Sequence, residues 1–484
     1  MNLIDDSNSI QRARKKVKVG SVRVVSSLLA TVTLVGALAL GISWKLVHGI
    51  AQSVTPVASG AEIQTLSAPI INARRNPETL SQDVRFRSLR SQLATLTKRL
   101  PAEACMIVDI EGTRISSFNP DMPLLPASNM KIVVATVALD VLKPEFVFST
   151  SVVGNVNGNA IEGDAYLIGG GDPLLVTGNY PDTEPYPTFN FTRLENVFDA
   201  LVAKGITRVS GSIIGDESRY DTERFAPSLG LGIKGTEVGP LGALMVNDGI
   251  VSGNPIKPDN PALGAATELT NTLQNNGIAV SGAPKIGTAS QDLPIIAKVD
   301  SLPLSDIVAE MLTNSDNNTA ELLVKEIGFA VSGVGSREAG LEVIKAKLVE
   351  WGIPLDVLQF FDGSGLDRGN RLTCRSLMTL LARDGGFGPV GVGLATASQT
   401  GTLREVLGDT LGAGKLRGKT GTLTGAKALS GFVPFSDDQA STFSLIINGT
   451  NVANQTTYRP LWNALSNALG GFSGSPSATE IAPN

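Results

Sequence analysis

The chain has 484 residues, of which 42% are hydrophobic and 18% charged, with a net charge of −5. That length exceeds one ordinary core, so two or more folded units are expected, and the absence of a basic domain argues against a nucleic-acid partner. Two cysteines and one histidine cannot make a Cys/His zinc site.

Arg12, Arg14, Lys15, Lys16, Lys18 and Arg23 precede residues 24–44, a run of 21 residues without a charge. As a helix this run spans roughly 31 Å, enough for a bilayer core. The basic flank stays cytoplasmic, which places everything after residue 44 outside the cell membrane on a single-pass anchor. A cleaved signal peptide is the rival reading, with Gly49-Ile50-Ala51 as its small-residue site. The apolar run, however, exceeds the usual h-region of about 7–15 residues. His48 is the single histidine, and it lies ahead of any folded domain. A Ser-His-Asp or Cys-His enzyme therefore lacks its general base here, and any acyl transfer needs another base, with lysine the leading candidate.

Residues 45–84 read as a linker. Phe86, Leu89, Leu93, Leu96 and Leu100 then recur at three- and four-residue steps, the pattern of an amphipathic helix. Residues 104–110 form an apolar strand, Glu111-Gly112 a turn, and 113–118 a second strand. Cys105 lies in the first strand and Cys374 far downstream. They could bridge in an oxidising compartment, but two buried thiols are the expected state.

The sequence Pro126-Ala127-Ser128-Asn129-Met130-Lys131 opens an apolar run with no breaker before Pro144. That predicts a helix of about three turns with Ser128 at its first turn, where free N–H groups and the dipole favour negative charge. Lys131 follows at i+3, so its amine can reach the Ser128 hydroxyl. A serine hydroxyl needs a base to become a nucleophile, and a lysine with a depressed pKa can be that base. A lone S-x-x-K is otherwise an N-capping serine and a solvated lysine.

From 149 to 297 the texture changes to short β-like runs, such as 165–168, 211–215 and 279–280, broken by Gly, Asn and Pro. Helices are expected at 197–203 and 263–275, and a long loop at 180–191. Gly169-Gly170-Gly171-Asp172-Pro173 lacks the order of a phosphate-binding loop and reads as a turn. This stretch is expected to be a separate α+β module. Helices return at 304–311, 318–328 and 336–351, with the polar turn Asn314-Ser315-Asp316-Asn317-Asn318 between the first two. Asp362-Gly363-Ser364-Gly365 is a tight turn, 373–384 a helix, 418–423, 428–434 and 442–448 strands, 456–469 a closing helix, and 471–484 a disordered tail. The expected architecture is α+β: an antiparallel sheet with helices packed on it, interrupted by the middle module.

Three motifs stand in order: Ser128-x-x-Lys131, Ser315-x-Asn317 and Lys419-Thr420-Gly421. On a helix start, an inter-helix loop and a strand, they make three walls of an acyl-serine cleft, the trio of penicillin-binding proteins and serine β-lactamases. The chain resembles the class C, type-4 D-alanyl-D-alanine carboxypeptidase/endopeptidase family of low-molecular-mass penicillin-binding proteins. The resemblance rests on LLPASNMKIVVATVAL, YLIGGGDPLL, NSDNNTAELL, FFDGSGLDRGNRLT and GKLRGKTGTLTGAKALSGF, and covers residues 104 to 469.

This resemblance implies a transpeptidase/β-lactamase-like domain in two parts, 85–148 and 298–470, around an inserted module at 149–297. It implies hydrolysis of D-Ala-D-Ala stem peptides of peptidoglycan, covalent inhibition by β-lactam antibiotics, and no metal or organic cofactor. Ser128 would be the nucleophile and Lys131 its base, depressed by burial and by Lys419. Ser315 would relay a proton to the leaving amine, and Asn317 would bind the substrate amide and Lys131. Lys419, Thr420, Gly421 and Thr422 would form the substrate strand, with Lys419 supplying positive potential, Thr420 holding the terminal carboxylate, and the Ser128 and Thr422 N–H groups making the oxyanion hole. The competing expectations are a β-lactamase or esterase with the same serine–lysine core, and a non-catalytic wall-binding homologue.

Overall fold

The structure, a computed structural model, describes residues 20–52, 77–178, 180–254 and 256–472. Helix α1 (Gly20–Gln52) belongs to one unit, and the rest of the chain, from Asn76 on, to a second. Among the described residues no helix is long and apolar enough to cross a membrane. Side chains of α1 are described only over 30–46, so the expected anchor at 24–44 lies partly outside the described residues. The expected linker is shorter than 45–84, because α1 continues to Gln52 and α2 (Pro77–Thr97) starts at Pro77; residues 53–76 lie outside the described residues.

Helix α2 buries Leu89, Leu93 and Leu96 along one stripe. Strands β1 (Ala104–Ile110) and β2 (Thr113–Phe118) pair antiparallel. β1 is apolar at nearly every position because both of its faces are covered. Cys105 and Ile107 enter the core on one side, while Ala104, Met106 and Val108 enter the core shared with α2 on the other. Helix α3 (Met130–Leu142) follows, with an apolar sequence that matches its burial from Met130 to Ala138.

The chain then leaves this sheet for a second one. β3 (Ser149–Asn157) and β4 (Ala160–Ile168) form a hairpin, and β5 (Leu175–Val176) pairs with β6 (Thr192–Arg193). Next come α4 (Glu195–Ala203), β7 (Arg208–Val209), β8 (Ile213–Asp216), α5 (Pro261–Asn275), β9 (Ala279–Val280), β10 (Lys285–Ile286) and β11 (Ile295–Asp300). Their mixed sheet runs β10-β8-β4-β3-β11, with β7 beside β4 and β9 beside β7. It has its own core, including Val152, Ile161, Leu201, Ile213 and Leu269. The excursion closes on itself, as Phe148 N donates to Ser301 Oγ (2.9 Å) and Ser301 N to Phe148 O (2.8 Å). Its last strand therefore ends at Asp300, three residues beyond the expected 297. The glycine cluster after β4 serves close packing: a Cβ on Gly170 would lie 2.1 Å from the Ser149 carbonyl oxygen.

Helices α6 (Leu304–Asn314), α7 (Asn317–Ser332), α8 (Arg337–Glu350), α9 (Cys374–Asp384) and α10 (Pro389–Gly393) follow. α9 starts where it does because Thr373 and Ser376 form a reciprocal capping box. Then come β12 (Ala395–Thr396), β13 (Arg417–Leu423), β14 (Ala426–Pro434), β15 (Ala440–Asn448) and α11 (Gln455–Phe472). The six-stranded sheet has the order β12-β13-β14-β15-β1-β2, every pairing antiparallel. Helices α2 and α11 cover one face, and α3 with α6 to α9 the other. The closing helix runs through Gly470 to Phe472, where a tail was expected; residues 473–484 lie outside the described residues.

One expectation is overturned outright. Cys105 and Cys374 are not free thiols but a disulfide with a Cα–Cα distance of 5.8 Å across a sequence separation of 269 residues. Packing of α9 against β1 brings them together, a proximity that sequence spacing does not encode.

Candidate active site

Ser128 sits in a single 3₁₀ turn, Ala127–Asn129, that leads directly into α3, one step earlier than the first α-helical turn expected for it. The turn is strained and tightly held. Ala127 has φ 47°, unusual for a residue with a side chain. The buried Asn129 donates through Nδ2 to Ser430 Oγ (2.8 Å) on β14, which is bonded in turn to Ser444 Oγ (2.9 Å) on β15. Two glycines make room for it. A Cβ on Gly421 of β13 would lie 2.6 Å from the Pro126 carbonyl oxygen, and one on Gly365 (φ 86°) would lie 2.0 Å from that of Ala127.

Lys131, fully buried, fans its Nζ to three acceptors: Ser128 Oγ at 3.2 Å, Asn317 Oδ1 at 2.7 Å and the Ser364 carbonyl at 2.7 Å. Three acceptors match the three protons of an ammonium. Burial lowers the Lys131 pKa to about 8, with Asp362, Asp316, Glu321 and Glu237 acting against the fall.

The Ser315–Asn317 corner is made by a helix break. Ser315 caps the C-terminus of α6 in the left-handed region (φ 67°), and Asp316 Oδ1 accepts from Asn318 N (2.8 Å) to start α7. Ser315 and Asn317 line a cavity of about 750 Å³ on the side of the inserted module. Asn317 donates its other amide group, Nδ2, to the Glu237 carbonyl (2.7 Å) of the insertion.

Alternation along β13 puts Lys419 and Gly421 on the face toward Ser128, and Thr420 and Thr422 on the other. Lys419 is fully buried and donates from Nζ to the Thr420 carbonyl at 2.9 Å. Burial first, and the Lys131 charge second, push its pKa well below the ordinary lysine value. This differs from the expectation that Lys419 depresses Lys131. Lys131 has four carboxylates acting in favour of its charge and Lys419 has none among the contributing groups, so the repulsion falls on Lys419.

Sequence reasoning missed two contributors. The Asp362-Gly363-Ser364-Gly365 turn, read only as a turn, aims the Ser364 carbonyl at Lys131. Asp362 braces it by accepting from Gly365 N (2.9 Å), Asp367 N (2.6 Å) and Asn370 Nδ2 (2.7 Å). Thr402, in the 3₁₀ turn before β13, accepts a hydrogen bond from Thr420 Oγ1 at 2.9 Å. The buried aspartate amid glycines was a legible signal for the first; nothing local marked Thr402.

The sequence pattern of the D-Ala-D-Ala carboxypeptidase 3 (S13) family matches residues 89–258 and 252–467. A D-alanyl-D-alanine carboxypeptidase of Actinomadura sp. (strain R39) is 28% identical over 422 residues, covering 70% of this chain and 76% of that one. Carboxypeptidase Rv3627c of Mycobacterium tuberculosis (strain ATCC 25618 / H37Rv) is 29% identical over 341 residues, covering 68% and 72%. The crystal structure of penicillin binding protein 4 (dacB) from Haemophilus influenzae superimposes with a TM-score of 0.63 at 20% identity, covering 78% of this chain and 98% of that one. The same protein complexed with a β-lactam gives a TM-score of 0.60. At that identity the likeness shows the fold.

Proposed function

We propose, for a chain that belongs to the D-Ala-D-Ala carboxypeptidase 3 (S13) family, a serine-type hydrolysis of D-Ala-D-Ala stem peptides of peptidoglycan in which Ser128 is the nucleophile. The observation that carries the assignment is the 3.2 Å contact between Lys131 Nζ and Ser128 Oγ. With a pKa of about 8, Lys131 has a neutral fraction near physiological pH that an ordinary lysine lacks.

Neutral Lys131 takes the hydroxyl proton as Ser128 Oγ bonds to the carbonyl carbon of the penultimate D-Ala. The Ser128 and Thr422 N–H groups stabilise the oxyanion, a contribution of about 3 kcal/mol per donor in comparable sites. The C–N bond then breaks as the proton taken up by Lys131 is relayed through Ser315 to the departing amine, leaving Lys131 neutral again and an acyl-serine. Water hydrolyses that ester. Thr420 and Thr422 hold the carboxylate of the leaving residue, whose charge supplies the anionic partner that Lys419 lacks and favours its ammonium form. A β-lactam acylates Ser128 by the same attack.

The uncharged run at 24–44 after a basic flank supports a single-pass anchor with the enzyme outside the membrane, and the Cys105–Cys374 disulfide suits an oxidising compartment. Carbonate extraction of cells expressing the full chain checks this reading: the chain should stay with the membrane, and release of an N-terminally shortened form would replace the anchor with a cleaved signal. The catalytic assignment is tested by fluorescent penicillin, which should label the chain covalently. Ser128→Ala should abolish labelling with unchanged circular dichroism; an adduct mapped to another serine would overturn the assignment.

A further inference from the structure

The face of β13 that turns away from Ser128 opens on a second cavity, of about 390 Å³, lined by Thr420, Thr422, Arg404, Lys427, Arg459 and Trp462 among others. Its chemistry is unusual for a protein surface. Lys427, on β14 opposite Thr422, is only 7% exposed. It donates to Thr422 Oγ1 at 2.7 Å and lies 4.0 Å from the Tyr458 and 4.9 Å from the Trp462 ring centroid. No carboxylate pairs with it among the described residues. Arg459 Nε and Trp462 Nε1 are buried with no hydrogen-bond partner. Burial, and then the Arg459 charge, bring the Lys427 pKa down to about 8. The one acid on the wall, Glu405, stands 3.8 Å from the half-exposed Arg404.

A buried cation without a carboxylate and buried N–H donors without a partner carry a free-energy cost that an anion in the cavity would offset. The position identifies the anion. Pro185 and Tyr186 line both this cavity and the larger one that holds Ser315 and Asn317. The small cavity therefore extends the cleft beyond the strand whose threonines hold the carboxylate of the leaving residue. We infer that it binds a further carboxylate of the peptide carried by the leaving amine, so that Lys427, Arg459 and Trp462 select substrates whose leaving group continues past one residue, as in a cross-linked stem peptide. The inference rests on the serine hydrolysis proposed above.

Three substrates with the same acyl half test it on the full chain. One releases D-Ala, one is a cross-linked dimer, and one is that dimer with every leaving-half carboxylate amidated except the one on the residue bearing the scissile amine. Amidation should lower kcat/KM of the wild-type chain about tenfold, and Arg459→Gln should lose most of that difference, with D-Ala release changed by less than about twofold. Equal kcat/KM for the two dimers in the wild-type chain overturns the inference, as does an undiminished preference in folded Arg459→Gln. The amidation comparison needs no variant, so a misfolded Arg459→Gln leaves the decision intact. Penicillin labelling separates the two levels: without labelling at Ser128 the hydrolase reading itself fails, whereas labelling without an amidation effect removes only the carboxylate subsite.

Discussion

Two fully buried lysines share one site, yet their surroundings act on their charges differently. Lys131 faces Asn317, Ser364 and four carboxylates, and keeps a pKa of about 8. Lys419 has only a neighbouring carbonyl and the repulsion of Lys131, and its pKa falls well below the ordinary lysine value. Acylation should therefore rise with pH through about 8, because only the neutral form of Lys131 accepts the Ser128 proton. Below that value the ammonium form prevails and the rate falls. Lys131→Met should flatten the limb and lower acylation by about three orders of magnitude or more. Lys419→Met should leave the limb near its wild-type position, since burial rather than Lys419 lowers the Lys131 pKa, while weakening substrates that present a carboxylate. Acylation rate against pH with a neutral ester checks all three proteins, and a clear alkaline shift in Lys419→Met would show that the Lys419 charge depresses Lys131 in the free enzyme. Gly421 belongs to the same scale. Its missing side chain lets β13 pass 2.6 Å (Cβ position to oxygen) from Pro126 O, so Gly421→Ala should displace the Ser128 turn and slow penicillin acylation about a hundredfold. Unchanged labelling kinetics would mean the turn yields without moving the hydroxyl.

Between elements, the disulfide ties β1, next to the edge strand of the six-stranded sheet, to the first residue of α9. The loop it closes is long, and closure of long loops in the unfolded chain is worth roughly 2–5 kcal/mol. Cys105→Ala with Cys374→Ala should lower denaturant stability by that order, with penicillin labelling retained under native conditions. Thiol titration of the wild-type chain in denaturant should find no free cysteine, and two reactive thiols would contradict the bond. The inserted module is likewise bound to the catalytic helices. Arg219 forks onto Glu326 (2.9 and 2.6 Å), Lys325 reaches Asp221 (2.5 Å), and Arg337 forks onto Glu223 (2.7 and 3.2 Å). Glu326 and Lys325 are almost fully buried, and these pairs hold the module against α7 and α8.

For the whole molecule, the sheet order is decisive. β15 pairs with β1, more than 300 residues earlier in sequence, so the catalytic unit is complete only when both parts of the chain are present. A fragment of residues 300–484 should be insoluble or molten, because β15 would expose an unpaired edge and the Ile446 and Leu445 faces of two cores. A cooperative unfolding transition for that fragment would refute the two-part unit. Replacing 149–300 by a short linker joins ends that already meet at Phe148 and Ser301. It nevertheless strands Glu326 and Lys325, and breaking a buried pair costs about 3–5 kcal/mol. The shortened chain should therefore unfold at markedly lower denaturant than the intact one.

Much of this was legible in the sequence. Apolar periodicity located α3, α9 and α11 to within a few residues, since burial of one stripe or one whole helix imposes a local pattern, but it placed the start of α2 near Phe86 rather than at Pro77. The three motifs named Ser128, Lys131, Ser315, Asn317 and Lys419, because each sits on an element whose start or end is locally encoded by Pro126, Asp316 or a β-run. The change of texture after Phe148 marked the module, since short strands need frequent turn residues. What the sequence did not contain were relations between distant residues. The Cys105–Cys374 bond, the Ser364 carbonyl on Lys131, the Thr402–Thr420 bond and the hold of Glu237 on Asn317 join positions from 18 to 269 residues apart. The charges of the two lysines followed the same rule. Their proton affinities depend on burial and on which carboxylates the fold brings near, and those are properties of the folded chain rather than of any stretch of it.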